Sequence, residues 1–60
     1  MAWYAVDLDG SECRYEIKPI RTTDIWLIDG DGNIDNLPKG SIKRLTGKDL
    51  TWDDEPIEVK

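Results

Sequence analysis

Histidine and phenylalanine are absent from this 60-residue sequence, and cysteine and methionine occur once each. Without histidine, the chain lacks the side chain most often used as a general base near neutral pH and as a metal ligand. A single cysteine, Cys13, excludes an intramolecular disulfide and suits a reducing compartment better than a secreted one. Long apolar runs are also missing. The strongest, Ile25-Trp26-Leu27-Ile28, falls far short of the roughly 20 residues that a spanning helix needs. The opening Met1-Ala2-Trp3-Tyr4-Ala5-Val6-Asp7 has neither the basic lead nor the apolar stretch of a secretory signal. These absences point to a soluble, cytoplasmic protein.

Length sets a further bound. A chain of this size is one domain and buries only about 60% of the surface its unfolded form exposes. Below about 70–80 residues, a core usually needs disulfides, a metal or a partner subunit to hold it. With the first excluded and the second lacking its usual ligand, oligomerisation is the remaining staple, and a homo-oligomer is expected.

Charge is unevenly spread within the net −5. Residues 1–38 carry eight acids against three bases, residues 39–48 carry four bases and no acid, and residues 49–60 carry five acids against one base. An acidic average argues against binding the backbone of duplex DNA, which needs a basic face. The basic island is compatible with a small anionic ligand, such as a nucleotide, or with an acidic patch on a protein.

Alternation places strands in most of the remainder. Tyr4, Val6 and Leu8 alternate with Trp3, Ala5 and Asp7, and Cys13, Tyr15 and Ile17 alternate with Glu12, Arg14 and Glu16. Asp9-Gly10 is a two-residue turn signal of the type I′ kind. It predicts a hairpin in which Leu8 opposes Ser11, Val6 opposes Cys13 and Tyr4 opposes Tyr15, with all six apolar residues on one face and Trp3 on the other. Pro19 interrupts the second strand. Asp24 to Ile28 reads as a central strand with Trp26 in the core. Asp29-Gly30-Asp31-Gly32-Asn33 reads as a turn, and Ile34 to Leu37 as a returning strand.

In the island, Pro38 ends a strand, Ser41 suits a helix N-cap, Ile42 and Leu45 share one side of a helical turn, and Gly47 suits a left-handed terminator. Leu50-Thr51-Trp52 alternates again, Asp53-Asp54-Glu55-Pro56 is a turn, and Ile57 with Val59 forms a last strand. The predicted fold is all-β: five or six short antiparallel strands in a bent sheet or small open barrel, with one helical turn.

Several local patterns invite a chemical reading. Val6-Asp7-Leu8-Asp9-Gly10-Ser11 and Ile28-Asp29-Gly30-Asp31-Gly32-Asn33 resemble the Asp-x-Asp-Gly opening of haloacid-dehalogenase-like phosphatases. That family needs a doubly wound parallel sheet, whose crossovers alone take a dozen or more residues each, so hairpin turns explain both segments better. Asp29, Asp31, Asn33 and Asp35 alternate like the start of an EF-hand loop, but Ile34 and Gly40 stand where that loop needs Gly and a bidentate Glu. Gly47-Lys48 lacks the spacing of a phosphate loop. What survives there is a set of turn amides near Lys39 and Lys43 able to hold an anion.

Ser11, Ser41 and Cys13 have no histidine to activate them, so a non-enzymatic protein with no cofactor or metal is expected. The candidate contact residues are Lys39, Ser41, Lys43, Arg44 and Lys48, with Trp3 or Trp52 as a stacking surface. The bland alternatives are a solvated basic face balancing Asp49, Asp53 and Asp54, and tryptophans packed in the core or between subunits.

Leu37-Pro38-Lys39-Gly40-Ser41-Ile42-Lys43-Arg44-Leu45, continuing through Leu50-Thr51-Trp52-Asp53-Asp54-Glu55-Pro56-Ile57-Glu58-Val59, resembles the ending of small uncharacterised proteins of gut bacteria and their phages. The resemblance implies provenance only, a phage or mobile element in a bacterial cytoplasm. By analogy with stand-alone phage proteins of this size, which often act by occupying a host component, the expected function is an accessory protein that blocks or sequesters a host defence protein or a nucleotide signal. The alternative is a structural or assembly module of a phage particle or mobile element.

Overall fold

The N-terminal hairpin sets the frame. In the computed structural model, which describes residues 2–59, β1 (Ala2–Val6) runs antiparallel to β2 (Glu12–Tyr15), with Trp3 opposite Tyr15, Ala5 opposite Cys13 and Val6 opposite Glu12. This is one residue away from the predicted pairing. A type I′ turn needs positive φ at both central residues, and Asp9 does not adopt it. Instead the Asp7 amide donates to the Ser11 carbonyl, and the Gly10 amide to the Asp7 carbonyl, both at 2.9 Å. The result is a three-residue loop, Leu8-Asp9-Gly10, with Gly10 in the left-handed region at φ 92°. The Ser11 amide donates to Asp9 Oδ1 at 2.9 Å, which also holds the Asp9 carboxyl below the usual aspartate range.

Because side chains alternate, a slip of one residue turns one strand's apolar set to the other face. Tyr4 and Val6 therefore do not share a face with Cys13 and Tyr15, and Leu8 is exposed in the loop. The single apolar face predicted for this hairpin is two faces.

Four more short strands and one helix follow: β3 (Ile20–Arg21), β4 (Trp26–Leu27), β5 (Ile34–Leu37), α1 (Ser41–Thr46) and β6 (Ile57–Val59). Among the described residues the fold is mostly β, with two antiparallel sheets, one of four strands in the order β5-β2-β1-β6 and one pairing β3 with β4. The larger sheet is open, not closed into a barrel. No helix among the described residues is long and apolar enough to cross a membrane.

Both faces of β1 are covered, which is why it has no polar residue. On one side Ala2, Tyr4 and Val6 pack against Ile42 of α1, with Leu37, Leu50, Ile57 and Val59 around them. On the other, Ala5, Cys13, Tyr15 and Trp26 form a second cluster, with Trp3, Ile28 and Trp52 against it. In β2, Cys13 and Tyr15 serve that second cluster, and the alternating Glu12 and Arg14 are left to make polar contacts at the other face.

Asp24 to Ile28 is not a central strand. Only Trp26 and Leu27 pair, with Arg21 and Ile20. Trp26 is instead a plug, 4% exposed as the core reading required. Its Nε1–H donates to the Val6 carbonyl at 2.9 Å and its amide to Asp7 Oδ1 at 3.0 Å, and its carbonyl accepts from the Tyr15 hydroxyl at 3.3 Å. Those partners satisfy the backbone groups that a ladder would otherwise have used. β5 returns as predicted, but against β2 rather than Trp26-Leu27. Leu50-Thr51-Trp52 forms no strand; the Thr51 carbonyl accepts from the Asp54 amide in a turn.

Candidate functional site: the basic helix and the cleft beside it

The basic island is built around α1. Gly40, at φ 89°, occupies the N-cap position, and Ser41 is the first helical residue, not the cap. The Ser41 hydroxyl donates backwards to the Pro38 carbonyl, and the residue is buried. Capping comes from across the sheet. Both oxygens of Glu12 accept helix-end amides, Oε2 from Gly40 at 2.6 Å and Oε1 from Ile42 at 2.8 Å. A carboxylate placed there also meets the positive end of the helix dipole. The seat that the sequence reserves for an anion at the start of α1 is thus filled by the protein's own carboxylate.

The other helix end matches the sequence. Gly47 is left-handed at φ 78°, its amide bonding the Lys43 carbonyl at 2.7 Å, and Lys43 and Arg44 lie in the last turn, where a cation suits the negative end of the dipole. Ile42 is buried at 2% exposure, whereas Leu45 is 58% exposed and anchors nothing. The single turn turns down only its Ile42 side, so Leu45 stands in solvent with Lys43, Arg44 and Lys48 close in the chain. Lys43 pairs with Asp49 at 3.0 Å, both side chains being mostly exposed. Lys39, Arg44 and Lys48 enter none of the ion pairs among the described residues.

The tryptophans divide differently. Trp52 is half-buried, edge-to-face with Trp26 at 5.8 Å and 60°. The Arg21 guanidinium lies 4.5 Å from the centroids of both rings and donates to the Trp52 carbonyl at 2.7 Å. This stack fastens the 52–55 turn to β3, and Glu55 adds an ion pair to Arg21 at 3.5 Å. Trp3, also half-buried, packs against the same core cluster with the Lys18 ammonium 5.6 Å from its ring.

Of the predicted contact residues, Lys39 and Trp52 come together. They line one cleft of about 470 Å³ with Val6, Leu8, Leu50 and Asp53. Lys43, Arg44 and Lys48 are exposed on and just after α1, outside the residues that line it, as are Ser41 and Trp3. Four residues that matter to this region were not among those predicted: Glu12, Arg21, Leu8 and Asp53. Glu12 carries no local signal, because its partner amides lie 28 and 30 positions away. Leu8 could have been found had the loop been read as three residues long. Among the described residues no group of three or more His, Cys, Asp or Glu side chains is placed to hold a metal ion.

Burial raises the Cys13 thiol above its usual range, and raises the Tyr15 hydroxyl as well, desolvation being the main cause in both. At neutral pH both groups are therefore neutral core side chains, with the thiol bonded to Asn36 Oδ1 at 3.3 Å.

Comparison with protein-family models, curated proteins and solved structures finds no match to this chain. The class its structure defines is a small, mostly β domain of two antiparallel sheets with one capped helical turn.

Proposed function

We propose that this chain is a non-enzymatic binding protein, an accessory protein of a phage or mobile element that blocks a host protein through its basic helix. The observation that carries the reading is α1 itself. An exposed leucine sits among Lys43, Arg44 and Lys48 on an otherwise acidic chain, and a distant carboxylate holds that turn in place. An exposed apolar side chain beside charged ones is the anatomy of a protein contact.

The same geometry favours an acidic protein surface over a nucleotide signal. The amides a phosphate would use are donated to Glu12. Trp52, which lines the cleft with the island's Lys39, already stacks with Arg21 and Trp26. The resemblance of the C-terminal third to small phage-associated proteins supports the biological setting.

The test uses the folded double variant Lys43→Glu with Arg44→Glu. Immobilised wild-type chain should retain an acidic protein from a gut-bacterial extract, released by high salt, and the double variant should not. ATP and a cyclic dinucleotide, titrated calorimetrically, should give no heat of binding with either. Retention unchanged in the double variant, or nucleotide binding lost in it, would overturn the reading.

A further inference from the structure

Two leucines of this chain are exposed to the same degree, 58%, in opposite electrostatic settings. Leu45 stands among the bases of α1. Leu8 stands between Asp7 and Asp9 in the β1–β2 loop and is shared by two neighbouring hollows. One is the cleft of about 470 Å³; the other, about 190 Å³, is lined by Leu8, Asp9, Asp24 and Ile25. The apolar lining of the cleft is Val6, Leu8, Leu50 and Trp52, and its charged lining is Asp7, Glu12 and Asp53 with the single base Lys39. Asp9, Asp24 and Asp53 are exposed around the two hollows, and enter none of the ion pairs among the described residues.

The chain therefore carries both halves of a complementary pair: a leucine that follows lysine and arginine on an exposed helical turn, and a leucine-bearing cleft, with Lys39 at its edge, whose exposed aspartates lie at it and at the hollow beside it. We propose that the cleft takes the α1 helix of a second copy of this chain. Leu45 meets the apolar lining beside Leu8, and Lys43 and Arg44 meet Asp24 and Asp53. Lys43 gives up only an exposed pair with Asp49 to do so, a kind of contact that contributes little. The apolar centre provides the attraction and the opposed charges provide steering and register.

Helix and cleft also adjoin in the chain, since Lys39 lines the cleft and stands two residues before α1. A two-fold axis can then engage both contacts at once, giving a closed, isologous dimer, the commonest symmetric assembly. The inference shares with the proposed function the reading of α1 as a contact surface. It adds that the chain's own cleft has the chemistry of the partner surface.

The experiment is a charge swap read by solution mass. Wild-type protein should sediment at twice its 6.9 kDa chain mass. Its dimer dissociation constant should rise about tenfold or more when salt is raised from about 50 mM to about 500 mM, as screening demands. Lys43→Glu with Arg44→Glu should be monomeric, and so should Asp24→Lys with Asp53→Lys. Mixing the two variants should restore the dimer, because each intact face meets its complement and each reversed face meets the other reversed face. Joining all four substitutions in one chain should restore it too. Leu45→Ser, which leaves every charge in place at an exposed position, should weaken the dimer and keeps the test alive if a charge variant fails to fold.

A monomeric wild type, a dimer surviving both charge variants, or no rescue on mixing would overturn the proposal. Failure here is distinguishable from failure of the proposed function. The Asp24→Lys, Asp53→Lys variant lacks the dimer but keeps the helix, so its capture of an acidic host protein persists if that reading is right.

Discussion

The two faces of the four-stranded sheet are held by different means. One is plugged: Trp26 buries its ring and ties its indole, amide and carbonyl to three separate partners, so packing and hydrogen bonding secure the same residue. The other is covered by a single helical turn that contributes one buried apolar side chain, Ile42, and is fastened at its start by Glu12. The plugged face is a core built to be rigid. The helical face is a mounting, and what it mounts is the exposed, basic side of α1.

That contrast ranks the consequences of mutation. Trp26→Ala should be the most damaging, losing about 3–5 kcal/mol. A chain of this size has about that much stability in all, so circular dichroism should show an unfolded protein at 25 °C. Ile42→Ala should cost about 2–4 kcal/mol, while Leu45→Ala, three residues away and exposed in the single chain, should leave the denaturation midpoint nearly unchanged at concentrations low enough to keep the protein monomeric. Equal effects at the two positions would mean that α1 is seated differently.

Glu12→Gln keeps the size of the side chain but removes the charge from two amide bonds, and should cost about 1–2 kcal/mol, with faster exchange confined to the start of α1. Arg21→Ala, which unstacks two tryptophans at a partly exposed site, should cost about 1 kcal/mol and be visible as a change in tryptophan fluorescence.

The last effect is alkaline and belongs to the plugged face. Burial raises Cys13 and Tyr15 above their ordinary values of 9.0 and 10.0. A group whose pKa is raised by folding contributes stability that is whole below its unfolded pKa and is lost as pH rises towards the folded one. Stability should therefore hold to about pH 9 and decline beyond it, first through Cys13 and then through Tyr15. Cys13→Ser should delay the onset of that decline to about pH 10, measured by urea denaturation across the series.

How far the sequence carried these conclusions depends on the range of the interaction. Period-two alternation located β1, β2 and β6, the turn signal at 29–33 located β5 after it, and the aromatic in the apolar run at 25–28 located the plug, because all three signals are local. The Gly47 terminator was legible for the same reason. Register was not: Asp9-Gly10 serves a two-residue or a three-residue loop, and the choice between them decides which faces Cys13, Tyr15 and Leu8 take. β5 was read as partner to the Trp26 segment, though only the fold sets it beside β2.

At the candidate site, the bases and their exposure followed from composition, and the pairing of Lys39 with Trp52 in one cleft did not. Ser41 was misread as a cap because serine before an apolar periodic residue has the local form of one. The actual cap, Glu12, belongs to another strand. Long-range polar contacts of this kind leave no periodic trace.

The central claim is that Glu12 occupies the anion seat of α1 and leaves only the exposed side chains of that turn free. Amide resonances of Gly40 and Ile42 test it directly, followed as inorganic phosphate is added to wild-type protein and to Glu12→Gln. The predicted result is two exchange-protected amides that phosphate leaves unmoved in the wild type and that lose protection in the variant. Phosphate-dependent shifts of those two amides in the wild type would contradict it.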